Sequence, residues 1–195
     1  MENRKNEKVR RIVGLGLFTA IVIVLQFVGS SIRFGMFSIS LVLVPIVVGA
    51  ALYGRLAGVW LGFAFGMTVL LSGDAAAFLV VDPAGTVVTV LTKGMLAGLA
   101  AGAVFALLQG VNRYLAVFAA AAAAPIVNTG IFLIGCRLFF YDTIAVWAEG
   151  MGFGGNVAGY MFLGLAGGNF LLELAVNMLL SPAIVRILRA ARHQK

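Results

Sequence analysis

Cys136 is the only cysteine and His193 the only histidine in 195 residues. No internal disulfide and no thiolate metal cluster can form, and an HExxH zinc site is excluded. His193 lies in the basic tail, too remote to serve a triad inside a membrane. The phosphate loop pattern GxxxxGK[ST] is absent, which excludes ATP hydrolysis by that machinery. Acidic residues are scarce, at seven. Asp74, Asp82 and Asp142 all fall at breaks between apolar runs, so no intramembrane aspartyl pair is visible. These absences leave no catalytic set: the chain reads as a non-enzyme with no cofactor and no metal.

What is plentiful is apolar. Hydrophobic residues make up 62% of the chain and its mean hydropathy is +1.08. A soluble domain of this size could not hide so much apolar surface, whereas a bilayer removes the problem. Glycine, at 25 residues, suits membrane helices that approach closely. The formal charge of +7 is concentrated at the ends. Arg4, Lys5, Lys8, Arg10 and Arg11 precede the first apolar run, and Arg186, Arg189, Arg192 and Lys195 end the chain. Such clusters beside membrane segments are topology signals and contacts for anionic lipid headgroups. They do not point to nucleic acid.

A bilayer-spanning helix needs roughly 20 mostly apolar residues. Six runs qualify: Ile12 to Ile32, Phe34 to Gly54, Leu56 to Gly73, a fourth that starts after Asp82-Pro83 and reaches Leu108, about Tyr114 to Phe140, and about Asn156 to Val185. The first resembles a signal peptide, but no cleavage site follows, and it reads as an uncleaved span. Turn chemistry marks the breaks at Tyr53-Gly54-Arg55, Ser72-Gly73-Asp74, Asp82-Pro83 and Gly110 to Arg113, and glycines run from Gly150 to Gly155. Pro45 is expected to end or kink a helix within the second run, so the stretch from Ser38 to Gly73 is the least determined. Positive residues in short loops orient the chain. With six spans, both basic termini, Arg55 and Arg113 fall on the cytoplasmic side; Asp74, Asp82, Asp142 and Glu149 fall outside, with only Arg33 and Arg137 near the outer loops. The expectation is an all-α integral membrane protein of six transmembrane helices, with N- and C-termini cytoplasmic. Residues 1–195 form a single domain with basic tails at 1–11 and 186–195.

Polar residues inside the apolar runs carry the functional information. Burying an unpaired charge in lipid is costly, so such residues face a cavity or each other. Lys93 lies in the outer half of the fourth run and Glu173 near the middle of the sixth. Asn169, Glu173 and Asn177 are spaced by four and share one helix face. Asn128 and Thr129 lie in the fifth run, just after Pro125, with Arg137 toward its outer end. Two readings stand side by side. In one, Lys93 pairs with Glu173 and the asparagines bond across helices as a structural network. In the other, these residues line a polar pocket that opens outward. Small residues recur at four-residue spacing in Gly16 and Ala20, in Gly58, Gly62 and Gly66, and in Gly94, Gly98 and Gly102. Each set makes a smooth groove for a close neighbour. In the third and fourth runs that neighbour is expected within the chain; the first could dock on a partner.

The ordered combination resembles a known family. Six runs in 195 residues follow a basic N-terminus. The groove Gly16-Leu17-Phe18-Thr19-Ala20 lies on the first and the segment Val44-Pro45-Ile46-Val47-Val48-Gly49-Ala50-Ala51-Leu52-Tyr53-Gly54-Arg55-Leu56-Ala57-Gly58 follows. Then come Asp82-Pro83, a glycine-rich fourth run with one basic residue, and a sixth with Asn and Glu that ends at Ser181-Pro182. Over nearly its whole length the chain is similar to the substrate-binding S component of an energy-coupling factor (ECF) transporter, with its second and third runs most like the pantothenate-type branch. The resemblance implies capture of one micronutrient from outside a bacterial cytoplasmic membrane. It also implies association with a transmembrane T component and two ATPases that supply the energy. The family's alanine-xxx-alanine groove on the first span meets the T component; Gly16 and Ala20 occupy it here, with glycine in the first place. The family's pocket lies under the loops that correspond to Gly29–Ser38 and Ser72–Asp82. The candidate substrate contacts are Lys93, Asn128, Arg137, Asn169, Glu173 and Arg33. Three cations against Glu173 favour a ligand carboxylate or phosphate, as in pantothenate. Phe34, Phe78, Trp147, Phe153 and Tyr160 are either ring contacts or interfacial anchors. A solitary secondary transporter or channel using Lys93 and Glu173 as a proton-linked pair is the alternative, and the lack of an evident repeat counts against it. A membrane scaffold is a third.

Overall fold

The computed structural model describes the backbone of residues 2–31, 33–34, 37–38 and 41–193, and the side chains of residues 7–31 and 41–190. The protein is a helical bundle. Helix α1 spans Glu2–Ser31, α2 Leu43–Tyr53, α3 Arg55–Ser72, α4 Ala76–Leu79, α5 Pro83–Leu108, α6 Arg113–Phe139 and α7 Tyr141–Gly150. The last rod is one continuous run: α8 (Val157–Gly159), a π-helical segment (Tyr160–Gly167) and α9 (Gly168–His193). Among the described residues five helical stretches are long and apolar enough to cross a membrane: Glu7–Ser31, Arg55–Ser72, Pro83–Leu108, Arg113–Phe139 and Val157–Ala190.

The second run departs from expectation. Its helical part is only the 11 residues of α2. Before it, β1 (Arg33–Phe34) and β2 (Phe37–Ser38) form a two-residue antiparallel ladder, with Arg33 opposite Ser38 and Phe34 opposite Phe37. Pro45 explains the boundary. It sits in the first turn of α2, where amide groups have no intrahelical partner anyway. One turn earlier its ring would collide with the carbonyl of Leu41, so the helix cannot extend backward. Pro45 therefore starts a helix rather than splitting one.

The other boundaries follow local chemistry. Gly54 joins α2 to α3 at φ 92°, a conformation that side chains disfavour. Asn112 caps α6 by accepting from the amides of Tyr114 and Leu115. Asp82 caps α5, its Oδ1 accepting from Gly85 N at 2.9 Å, with Pro83 as the first helical residue. Replacing Asp82 by alanine should lower stability by about 1 kcal/mol, read as a drop in the unfolding midpoint of the purified protein. An unchanged midpoint would mean solvent replaces the cap.

Glycines set the core. A Cβ at Gly58 would run into the Gly98 carbonyl, and one at Gly62 into the Gly94 carbonyl, each reciprocally. Helices α3 and α5 therefore meet backbone to backbone. A Cβ at Gly102 would meet the Arg55 backbone, which places the C-terminal end of α5 beside the start of α3. At that same end the Arg11 guanidinium donates to the Tyr53 carbonyl at 3.0 Å, and Arg113 donates to the Leu188 carbonyl at 2.6 Å. The N-terminal part of α1 and the C-terminal part of α9 thus share one basic end of the bundle. Asp74, Asp82, Asp142 and Glu149 belong to the connections at the opposite, acidic end.

Candidate functional site

The bundle holds a half-open cavity of about 720 Å³ in the half nearer its acidic end. Lys93 reaches it from α5, ten residues past Pro83, or ~15 Å along the axis at ~1.5 Å per residue. Asn128 and Thr129 come from α6, and Asn169 and Glu173 from α9. Pro125, inside α6, cannot donate to the carbonyl of Ala121, which loosens the ladder one turn before Asn128 without ending the helix. Thus four candidates from three separate apolar runs, Lys93, Asn128, Asn169 and Glu173, line one space.

The Lys93 ammonium lies over two rings, 5.7 Å from the Phe65 centroid and 5.5 Å from that of Phe132. Cation–π attraction of this kind is worth about 2 kcal/mol once water is excluded. Among the described residues no carboxylate pairs with it directly. Glu173, 6% exposed, instead accepts from Asn128 at 3.3 Å, Nδ2 to Oε2. The side chain of Asn177 donates to the Glu173 carbonyl and Ser181 donates to the Asn177 carbonyl, both at 2.8 Å. A polar ladder therefore runs down α9 from the cavity. The carbonyl oxygens Oδ1 of Asn128, Asn169 and Asn177 are buried without a hydrogen-bond partner among the described residues, an expensive arrangement in a low-dielectric interior.

The aromatic wall is built from several elements. Phe78, on α4, packs edge-to-face on Phe132, Phe140 and Trp147 at 5.7, 5.0 and 5.6 Å. Those three contacts lash the α4 connection to α6 and α7. Tyr160 is wholly buried against Phe153, at 5.3 Å, and lines the cavity together with Phe78 and Trp147.

Two candidates do not join this group. Arg137 is exposed and stacks over Tyr141 at 4.1 Å, outside the cavity. It sits near the end of α6, where one residue of rotation turns a side chain by about 100°, and the glycine face of that turn, Gly135 against Thr89, is the buried one. The side chains of Arg33 and Phe34 lie outside the described residues.

Two further parts of the lining escape a reading of the sequence. Gln26 on α1 donates to Asp74 Oδ2 at 2.5 Å, and both line the cavity. Gln26 is the only amide in the first apolar run, so the cost of a polar group at membrane depth marks it as it marks Lys93 and Glu173. The π-helical turns of Tyr160–Gly167 have no signal beyond nearby glycines, yet Tyr160, Leu165 and Ala166 of that segment all face the cavity. Wide turns of this kind recur at functional sites.

Gly16 and Ala20 lie away from the cavity. Both are exposed, and a Cβ at Gly16 would meet nothing among the described residues. Only 17% of the apolar window of α1 is buried, against 50% for α3. Gly14, by contrast, packs against the ring of Tyr53. Among the described residues no group of three or more His, Cys, Asp or Glu is placed to hold a metal ion. No protein-family model and no curated protein sequence matches the chain.

Proposed function

We propose that this protein is the substrate-binding subunit of an ECF-type importer, which captures a micronutrient in the cavity and delivers it with a transmembrane T component and two ATPases. The observation that carries the reading is the cavity itself. It combines an aromatic wall, the Lys93 side chain, the acidic side chains of Asp74 and Glu173 and several amide groups in an otherwise apolar bundle. A volume of about 720 Å³ is within the usual range for small-molecule sites, and polar groups inside such a bundle are retained where a solute meets them.

In this reading the chain crosses the membrane six times. The crossing that contains α2 is completed by the part of the second apolar run that precedes it; non-helical backbone is acceptable at membrane depth where protein rather than lipid surrounds it. Seven of the 11 residues of α2 are buried, as such a crossing requires. The basic end is cytoplasmic by the distribution of arginines, and the cavity then opens outward. The exposed groove of Gly16 and Ala20 is the docking face for the T component. Its exposure supports this: Gly16 and Ala20 are turned away from the rest of the described residues.

The test is thermal stabilisation of the purified chain by a panel of vitamins and precursors, since a ligand that binds only the folded state raises its stability by mass action. One compound should shift the midpoint strongly. Lys93→Met should weaken that compound about 100-fold or more, as expected when a buried charge partner is lost. A shift that survives Lys93→Met would remove Lys93 from the site. Flux through liposomes holding this chain alone would favour a solitary transporter instead.

A further inference from the structure

Glu173 lines the cavity, yet it accepts a hydrogen bond from a neighbouring side chain. A carboxylate only accepts, so the 3.3 Å contact from Asn128 requires the NH₂ side of that amide to face Glu173. The amide carbonyl must then point the other way. It does so in a residue that is 4% exposed and lines the cavity, and Oδ1 has no hydrogen-bond partner among the described residues. Asn169, one turn before Glu173 on the same helix, presents a second unpartnered Oδ1 in the same lining. Two carbonyl acceptors, from α6 and α9, thus share the cavity with the Lys93 ammonium. A solute that satisfied all three would bring hydrogen-bond donors to the asparagines and an acidic group to the lysine. A solute lacking either would leave buried polar atoms unmatched, and sites built this way reject such analogues by large factors.

We propose that Glu173 is a positioning residue that holds the Asn128 amide in one orientation, so that the Asn128 and Asn169 carbonyls form an acceptor pair and the site selects solutes with both an acidic group and N–H or O–H donors. This rests on the capture reading above. It assigns Glu173 no direct charge contact with the solute and makes Asn128 the group through which it acts.

Six compounds separate the chemistry. Biotin, pantothenate and folate carry a carboxylate and donors. Nicotinate carries a carboxylate without a donor. Thiamin and pyridoxine carry donors without a carboxylate. Binding to the full-length purified chain is measured by calorimetry. The tightest compound should come from the first group and exceed nicotinate, thiamin and pyridoxine by about 100-fold or more. Glutamine at position 173 can donate as well as accept, which frees the Asn128 amide to turn over. Glu173→Gln should therefore weaken the best compound about tenfold and narrow its margin over nicotinate. Asn169→Leu, which removes the other carbonyl and keeps the carboxylate, should narrow the same margin and serves if Glu173→Gln does not fold. Tightest binding by nicotinate, thiamin or pyridoxine overturns the assignment while leaving capture intact. So does a Glu173→Gln protein with a lower melting midpoint but unchanged selectivity, the mark of a purely structural role. No binding by any of the six overturns both the assignment and the capture reading.

Discussion

Leucine in place of Gly98 will abolish folded protein or sharply lower its unfolding midpoint. A Cβ there would collide with the backbone of Gly58, carbonyl oxygen first. The obstacle is main chain on a rigid helix, not the flexible end of a side chain, so no rotamer change relieves it. Helices α3 and α5 would have to move apart along their length, and the reciprocal contact of Gly62 with Gly94 one turn away would open as well. Overpacking a core usually costs about 1–3 kcal/mol; with backbone as the obstacle, about 3 kcal/mol or more is expected. The damage would reach the cavity. A Cβ on Gly94 would also approach Phe65, the ring over which Lys93 sits. Ligand binding should fall with stability, and a folded Gly98→Leu protein with normal binding would show that the two helices need not touch.

The second large effect is the opposite kind. Leucine at Gly16 should leave folding and ligand binding unchanged and eliminate ATP-driven uptake when the partner subunits are present. Among the described residues nothing lies within 4 Å of a Cβ at that position. The helix is tied to the bundle elsewhere: Trp60 donates to Thr19 Oγ1 at 3.1 Å, and Gly14 packs on Tyr53. A bulky residue would instead fill the groove in which another helix must lie closely. Uptake into vesicles containing the complete assembly, compared with binding to the same variant alone, measures the separation. A parallel loss of both would place the Gly16 face inside the folding core or the pocket. Unchanged uptake would move the docking surface off α1.

Much of this architecture is legible in the residues. Asp82-Pro83 marks the start of α5 because a carboxylate cap and a proline at the first position suit a helix N-terminus and little else. The glycine ladders of the third and fourth runs are expected to pack within the chain, and Gly58 and Gly62 do meet Gly98 and Gly94. The four-residue spacing of Asn169, Glu173 and Asn177 places them on one face, and that face turns inward from the cavity down. The second run is less legible. Hydropathy reports that Phe34 to Gly54 avoids water, not whether it is helical, and Pro45 cuts the helix to 11 residues.

The site itself is half legible. A lone lysine and a lone glutamate in apolar runs are conspicuous because lipid makes them costly. Which polar residues meet is a matter of helix rotation and neighbour choice. Arg137 resembles Lys93 in charge, yet it sits two residues from the end of its helix, exposed and stacked on Tyr141. Gln26 and Asp74 meet although 48 positions separate them, and no local pattern encodes that pairing.

Residue order is enough to establish that this chain is built of long apolar helices, where most of them begin and end, and which few polar residues lie within them. Those properties follow from transfer free energies and capping chemistry, which act over a few neighbouring residues. It takes the packed bundle to bring Lys93, Asn128, Asn169 and Glu173 around one cavity, to set Glu173 against Asn128 within it, and to leave the Gly16 face uncovered. Lipid and protein interior are equally apolar, so hydropathy cannot tell which face of a helix meets a neighbour; close backbone contact at glycine and the matching of buried polar groups make that choice.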